Sequence, residues 1–549
     1  MNRRCLALLA ALMAGACRSA AGPGMGAEPA PLPEARTAAP ASAAPSTALP
    51  GLPEVPLVEG TLAPRVVYPQ YNAMINSRDS NFIFGSVGNG RATLTINGEP
   101  ARVWPNGAFL AWVANPPPTN AQFQLIARLG DSSVSITHPV RVAGMTPPVP
   151  DSLKPPPPVI SDTTPTWVIL RDTLAALSDT DRVVIGRPSP NTTYRWFFLP
   201  NTRVQLTGRY NGFPGFARVR LDSGLDVWVE NVDARTFAAD TTPPRRVAGN
   251  IRVRPADDWV DVNIPIAERP AYFVDERERG FGLTLYGTRG NTDLVTYPTT
   301  DSLVRHVEWT QVLNDRAEYR IELSATPFGY LVLYENGIFT LRIRRLPPSC
   351  ALRSSECGAR ARHPLTGLVI AVDAGHPPAG SNGPTGLYEA DAALAVGERL
   401  KVMLEERGAR VVMTRTTRDA VDLAMRPMMA RREGANAFVS LHYNAYPDGV
   451  NPFMRTNGVE VYFYRPHSEA LARAVQSELV AQQPLADQGV HFRSLAVVRS
   501  TWFPAVLAEG GFIIIPEQEH AMRTPEWQDR YARAVADGLE KYFRGIRGR

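Results

Sequence analysis

Four side chains in the last third of the chain have types and settings suited to hydrolysis. "GLVIAVDAGH" is an apolar run that ends in His376, "NAFVSLHYNA" is one that stops at His442, and "FPAVLAEGGF" carries Glu509. Glu389 opens the stretch "LYEADAALAVGERLKVMLEERG", behind the Gly/Pro-rich loop "PPAGSNGPTG". Singly, each has an ordinary explanation: a lone histidine is often a satisfied core residue, and a carboxylate in a first helical turn complements the helix dipole. The chain has only eight histidines, however, and two of them stand where strands would end. In open sheets, ligands gather outside the carboxyl ends of the strands. Two histidines and a carboxylate form a catalytic zinc set with one coordination position to spare, and a further carboxylate is what a hydrolase uses as general base. On this reading His376, Glu389 and His442 hold a single zinc ion and Glu509 is catalytic. Asn444, two residues past His442, is a candidate for orienting substrate, with a loop hydrogen bond as the competing reading.

The elements that must position these groups are legible around them. "GLVIAV", "ARVVMTR", "NAFVSLH", "GVEVYFY" and "FPAVLAEGGF" read as strands. Between them, Ala393, Gly397, Leu400 and Leu404 recur on one face of a helix that ends at Gly408. "MRPMMARREGA" and "HSEALARAVQSELVAQ" also read as helices, and Thr524 caps a last helix with Pro525 at its first position. Alternating strand and helix predicts a mostly parallel sheet flanked by helices over residues 366–546.

The rest of the chain is organised differently. Fifty prolines and 42 glycines in 549 residues are too many for compact domains alone, so linkers are expected. Proline-rich breaks at "TPPVPDSLKPPPPVISDTTP", "DTTPPRR" and "RLPPSC" cut out three small all-β domains ahead of the α/β domain. The first, 63–145, has Asn-Gly turns at 97–98 and 106–107 between alternating apolar runs. The second, 161–240, contains short strands in "YRWFFLPNTRVQLTGRYNG" and a Trp228 strand. The third, 247–347, contains "WVDVNIPI", "GFGLTLYG" and "FTLRIRR". Their aromatic stripes read as core. The net charge is +5 and the basic residues are almost all arginines scattered among acids, with no tract of the kind that tracks a phosphate backbone, which argues against nucleic acid as a partner.

The N-terminus reads as an address. "MNRRCLALLAALMAGAC" pairs Arg3 and Arg4 with a short apolar stretch and small residues before Cys17, which makes residues 1–17 a secretory signal. Cys17 is either lipidated, anchoring the chain to a membrane, or lost with ordinary cleavage. Residues 18–62 are an Ala/Pro-rich tether. No other segment approaches the ~20 apolar residues of a spanning helix. Together these place the protein in the cell envelope, in the periplasm or on the extracellular face. An oxidising compartment would permit a bridge between Cys350 and Cys357.

"VDAGH", "GLYEADAALAV", "LHYNA" and "PAVLAEGGF", in that order, make residues 366–546 resemble the zinc-dependent N-acetylmuramoyl-L-alanine amidases. "VVMTRTTRDAVDLAMR" and "GVHFRSLAVVRST" fit as well. The resemblance implies hydrolysis of the amide between the lactyl group of muramic acid and the first alanine of the peptidoglycan stem, zinc on His376, Glu389 and His442, and a catalytic Glu509. Three positions depart from the family's habit. Pro377 and Pro378 stand where two glycines are usual, Ala393 where an Asn is usual, and Ile514-Ile515 where Ser-Asn is usual. Some family members cover the metal with a helix inserted after the second histidine. Here only "YPDGVNPFMRTN" occupies that place, so no activating partner is required by the sequence. The first β domain looks immunoglobulin-like, the second resembles a Src-homology-3-like barrel, and the third resembles the β domains that precede envelope amidases. Two other readings stay open: a zinc peptidase or deacylase acting on wall fragments, and a catalytically inactive wall-binding scaffold.

Overall fold

The computed structural model describes residues 51–142, 158–171, 183–236, 242–347 and 363–547. The signal, Cys17, most of the tether, and Cys350 and Cys357 lie outside the described residues.

Labels are used here for the α/β block alone. In chain order it contains β1 (Val369–Ala374), α1 (Glu389–Glu406), β2 (Arg410–Met413), α2 (Met425–Arg432), β3 (Ala437–Asn444) and β4 (Gly458–Phe463). There follow α3 (Glu469–Gln482), β5 (Ala486–Phe492), β6 (Ala505–Phe512), α4 (Pro516–Met522) and α5 (Pro525–Arg547). The six strands form one sheet in the order β2-β1-β3-β6-β4-β5. β1, β2, β3 and β6 are mutually parallel, while β4 runs antiparallel to β6 and carries β5 parallel to itself. The expected mostly parallel sheet is therefore present, with a reversed two-strand edge.

Apolar periodicity explains how the layers assemble. Ala393, Gly397, Leu400 and Leu404 are all buried on the inner face of α1. Gly408 follows the helix at φ +84, a left-handed conformation that closes helices and that glycine adopts without a Cβ clash. Along β3 the pleat sends Val439, Leu441 and Tyr443 into the large core shared with Leu471 and Val475 of α3 and Tyr531 and Val535 of α5. Phe438 points the other way, with Ala371, Ala430 of α2, and Phe503. The second face has one short helix, and the third β block supplies further cover. There Arg344, itself buried, donates from Nη1 to the carbonyls of Ala435 (2.9 Å) and Trp502 (3.0 Å).

The preceding blocks are sheets, as expected. Residues 65–142 pair a three-stranded with a four-stranded sheet around Ile83, Phe109, Phe123 and Leu125. Residues 160–236 carry a five-stranded antiparallel sheet with Val219, Val227 and Val229 inside. Residues 247–344 form two further sheets of five and four strands around Phe281, Tyr319 and Phe339. The first block is not separately cored along its whole length. Phe82, Phe84, Trp104 and Leu110 belong to the same buried cluster as the helices of the α/β block. Its Tyr68 and Asn81 side chains and the Asn76 amide all reach Asp448, in the loop after β3.

Candidate metal centre

His376, Glu389 and His442 come together at the carboxyl ends of β1 and β3, where α1 begins. One ligand atom from each lies within 4.8 Å of the others. Glu389 Oε1 is 3.2 Å from His376 Nε2 and 3.0 Å from His442 Nδ1, and the two imidazoles meet edge to face. The backbone permits this closeness at Gly375, where a Cβ would stand 2.4 Å from the His442 ring. His376 follows at φ 56, a left-handed conformation held by its surroundings.

Each imidazole is oriented from its far side. His376 Nδ1 lies 3.1 Å from the Pro378 carbonyl, so Nδ1–H donates there and the Nε2 lone pair faces the cluster. That acceptor is a main-chain carbonyl, so it is retained although a double proline stands here in place of two glycines. His442 Nε2 lies 3.1 Å from Ser440 Oγ, whose hydroxyl donates to Asp373 (2.6 Å). This leaves His442 Nδ1 facing the cluster. Asp373 in turn receives the Arg426 guanidinium at 2.8 Å, and both are fully buried. Arg426 also donates to the Pro377 carbonyl (2.7 Å), and Arg415 bridges the carbonyls of Gly375 and Ala390. These two arginines tie the end of β1, the proline loop and the start of α1 into one unit.

Glu389 is 3% exposed and accepts the Ser381 and Tyr443 amides. Burial works to raise its pKa, but hydrogen bonds and charge from His376 and His442 outweigh it and hold the carboxyl well below the ordinary range. For His376 burial lowers the pKa, and the bond to Glu389 more than reverses this, so the net shift is upward.

Glu509 in β6 stands directly across from His442 in β3 and from Glu460 in β4. Its Oε2 is buried without a hydrogen-bond partner. Burial, then the charges of Glu389 and Glu460, push its pKa well above the carboxylate norm. Two inward imidazole lone pairs and the Glu389 carboxylate fit the donor set of a bound cation, zinc included, with the unpartnered Glu509 carboxylate on the neighbouring strand.

Asn444 is engaged by protein. Its amide donates to Glu460 and its Oδ1 accepts the Ala445 amide. Glu460 is a site residue that the sequence reading missed. It is 5% exposed, accepts the Tyr462 hydroxyl at 2.9 Å, and has His491 Nε2 at 2.8 Å. A signal was available, since a carboxylate between Val459 and Val461 in an apolar strand demands partners. The segment between β3 and β4 contains one three-residue 3-10 turn, Pro452–Met454, and no longer helix.

Residues 370–541 match the family model described as N-acetylmuramoyl-L-alanine amidase. YqiI of Bacillus subtilis, an uncharacterised protein, is 34% identical over 199 residues that cover 93% of it and 35% of this chain. The chain belongs to the amidase family. The cell wall amidase LytH of Staphylococcus epidermidis, so described as probable, is 32% identical over 185 residues, covering 33% of this chain and 60% of LytH. Among solved structures, the amidase AmiC2 of Nostoc punctiforme is 32% identical over 32% of this chain and 97% of that one, with a TM-score of 0.30. The amidase domain occupies the C-terminal third, and its family places the protein among cell-wall hydrolases of the envelope, with peptidoglycan as substrate class. The His376, Glu389 and His442 cluster is consistent with that family's metal site.

Proposed function

We propose that this amidase binds one zinc ion through His376, Glu389 and His442 and hydrolyses the amide between the lactyl group of N-acetylmuramic acid and the L-alanine of the stem peptide. The observation that carries the proposal is the unpartnered Glu509 Oε2, on the strand position that pairs with His442, next to the convergent His376–Glu389–His442 set. Zinc held there would supply Lewis acidity toward the scissile carbonyl and toward water. Glu509, held basic by burial and by two neighbouring carboxylates, takes a proton from the water that attacks the carbonyl carbon. As the C–N bond breaks it returns that proton to the leaving alanine nitrogen, so a lactyl carboxylate and a free amine result. Glu460 and Asn444 line the adjacent strand end, where they would border the substrate.

Digesting sacculi with the zinc-loaded full chain and analysing the products by mass spectrometry tests this. Release of stem peptides beginning with a free alanine amine is expected. Peptides cut internally, or sugars losing only acyl groups, would replace the amidase by a peptidase or deacylase.

His376→Ala and His442→Ala are expected to lose zinc before they lose fold. Two remaining donors hold the ion poorly, and each imidazole is tied to the protein by a single bond from its far nitrogen. Metal content of the purified variants checks this, and full zinc occupancy in either one would remove that histidine from the ligand set.

We also infer that residues 1–17 export the chain and that Cys17 carries a lipid. The support is the arginine-led apolar stretch ending in Ala14-Gly15-Ala16-Cys17. Labelled palmitate should enter the wild type and be absent from Cys17→Ser, whereas an unlabelled wild type would mean a secreted form without an anchor.

A further inference from the structure

At the end of the sheet opposite the metal lies a cavity of about 470 Å3, within the range of small-ligand sites. The antiparallel register places it there. Tyr462 of β4 pairs with Leu507 of β6, so the residues after β4 sit beside the start of β6, away from Glu509. Its walls come from three blocks: Arg195 and Phe197 from the second, Glu276 from the third, and Tyr464, Arg465, Phe492 and Arg499 from the amidase domain.

Its charge is one-sided. Arg195, Arg465 and Arg499 have no carboxylate partner among the described residues. Arg465 stacks on Phe197 and Tyr464 and donates to the Arg499 carbonyl (2.9 Å). Arg499 lies over Tyr194 and donates to Ser494. Arg195 rests only on the rings of Trp196 and Phe273. The carboxylate on the wall, Glu276, is already taken by the buried His467, through both its amide and Nδ1 at 2.9 Å. Burial, and the like charges of Arg465 and Arg187, lower the Arg499 pKa, as expected for a guanidinium short of an anion. Beside the arginines is an apolar face. Tyr464 and Phe492 stack at 5.2 Å, and Phe492 remains 67% exposed, which is costly for a large ring unless something covers it.

We propose that this cavity binds a sugar acid, with the pyranose face against Tyr464 and Phe492 and the carboxylate held by Arg465, Arg499 and Arg195. Planar guanidiniums match a carboxylate, and ring faces match the C–H face of a sugar. The reaction proposed above makes such a ligand, because cutting the alanine amide leaves a lactyl carboxylate on muramic acid. The inference rests on that reading and adds that the protein holds the glycan it has stripped.

The test is calorimetric titration of the zinc-loaded full chain with N-acetylmuramic acid, with N-acetylglucosamine and an alanyl dipeptide as controls. Binding of the acid alone is expected. Arg195→Gln, Arg465→Gln and Phe492→Ala should each weaken it about tenfold or more, since one charge-assisted bond or one stacked ring is worth that much. His442→Ala should leave it intact. Absence of binding overturns the proposal, as does binding that survives all three cavity variants but vanishes in His442→Ala, which would put the acid on the metal. Equal binding of N-acetylglucosamine would show that no carboxylate is read, and equal binding of the dipeptide would make it a peptide site. Both results overturn it. Hydrolysis of sacculi by the same wild-type sample is scored separately. Wall cleavage without sugar-acid binding sinks this inference alone, and binding without cleavage sinks the amidase reading instead.

Discussion

Glu509→Gln is expected to keep zinc and lose turnover, by about two to four orders of magnitude in rate. The substitution conserves volume and removes only the ability to take a proton. It should not unfold the domain. Glu509 Oε2 has no partner to lose, and the Glu389 and Glu460 carboxylates that face it both repel its charged form. A neutral amide relieves that repulsion, so thermal stability should be unchanged or slightly higher. The side chains of His376, Glu389 and His442 are held by hydrogen bonds with Pro378, Ser440, Ser381 and Tyr443, and none of these bonds involves Glu509, so metal content should equal that of the wild type. Metal analysis and rates on muropeptides, measured on one preparation, decide the matter. Normal turnover with zinc bound would refute the role given to Glu509.

Asp373→Ala should be the most destabilising single change near the site, costing about 3–5 kcal/mol, because it strands the buried Arg426 charge. Asp373 and Arg426 have side chains 0% and 1% exposed and meet at 2.8 Å. The same substitution removes the acceptor for the Ser440 and Thr414 hydroxyls. Ser440 then turns freely beside His442, so zinc affinity should fall along with stability. Removing both charges in Asp373→Ala/Arg426→Met should recover part of the loss, since no charge is left unpaired. Denaturant melts of the three proteins measure it. A cost under about 1 kcal/mol for the single variant would mean that water reaches the guanidinium after all.

The fold of the amidase domain was legible where one face of an element is apolar. α1 could be read from Ala393, Gly397, Leu400 and Leu404, and His442 and Glu509 from the apolar strands that carry them. β5 escaped because "ADQGVHF" is an edge strand with no buried residue on either face, which leaves no alternation to see. α4 is seven residues long and too short for helical periodicity to emerge, despite Pro516 at its start. The two Asn-Gly pairs differ instructively. Asn97 and Gly98 both take positive φ and close a two-residue hairpin, whereas at the second pair Gly107 alone does so, within a Trp104–Gly107 turn. The motif marked both turns, but Pro105 and its neighbours selected the second geometry. The candidate ligands His376 and His442 could be read from their places at strand ends, and Glu389 from the helix that it opens. Asp373 and Glu460 could not be given roles, because Arg426, Ser440 and His491, which pair with them, are distant in sequence or lie on other elements.

The common core that joins Phe82, Phe84, Trp104 and Leu110 to the helices of the amidase domain bears on where the enzyme can cut. A catalytic head on a loose leash would sample every bond within the leash's length. A head bolted to its neighbours can sample only the shell that the whole body can present, with Asp448, in the loop after β3, fastened to the first β block. Were residues 18–62 the tether expected from the sequence, lengthening them would extend the outer limit of that shell and leave the orientation of the head to its neighbours fixed. The depth of wall being trimmed would then be set like the cut of a plane, by how far the blade is mounted from the sole.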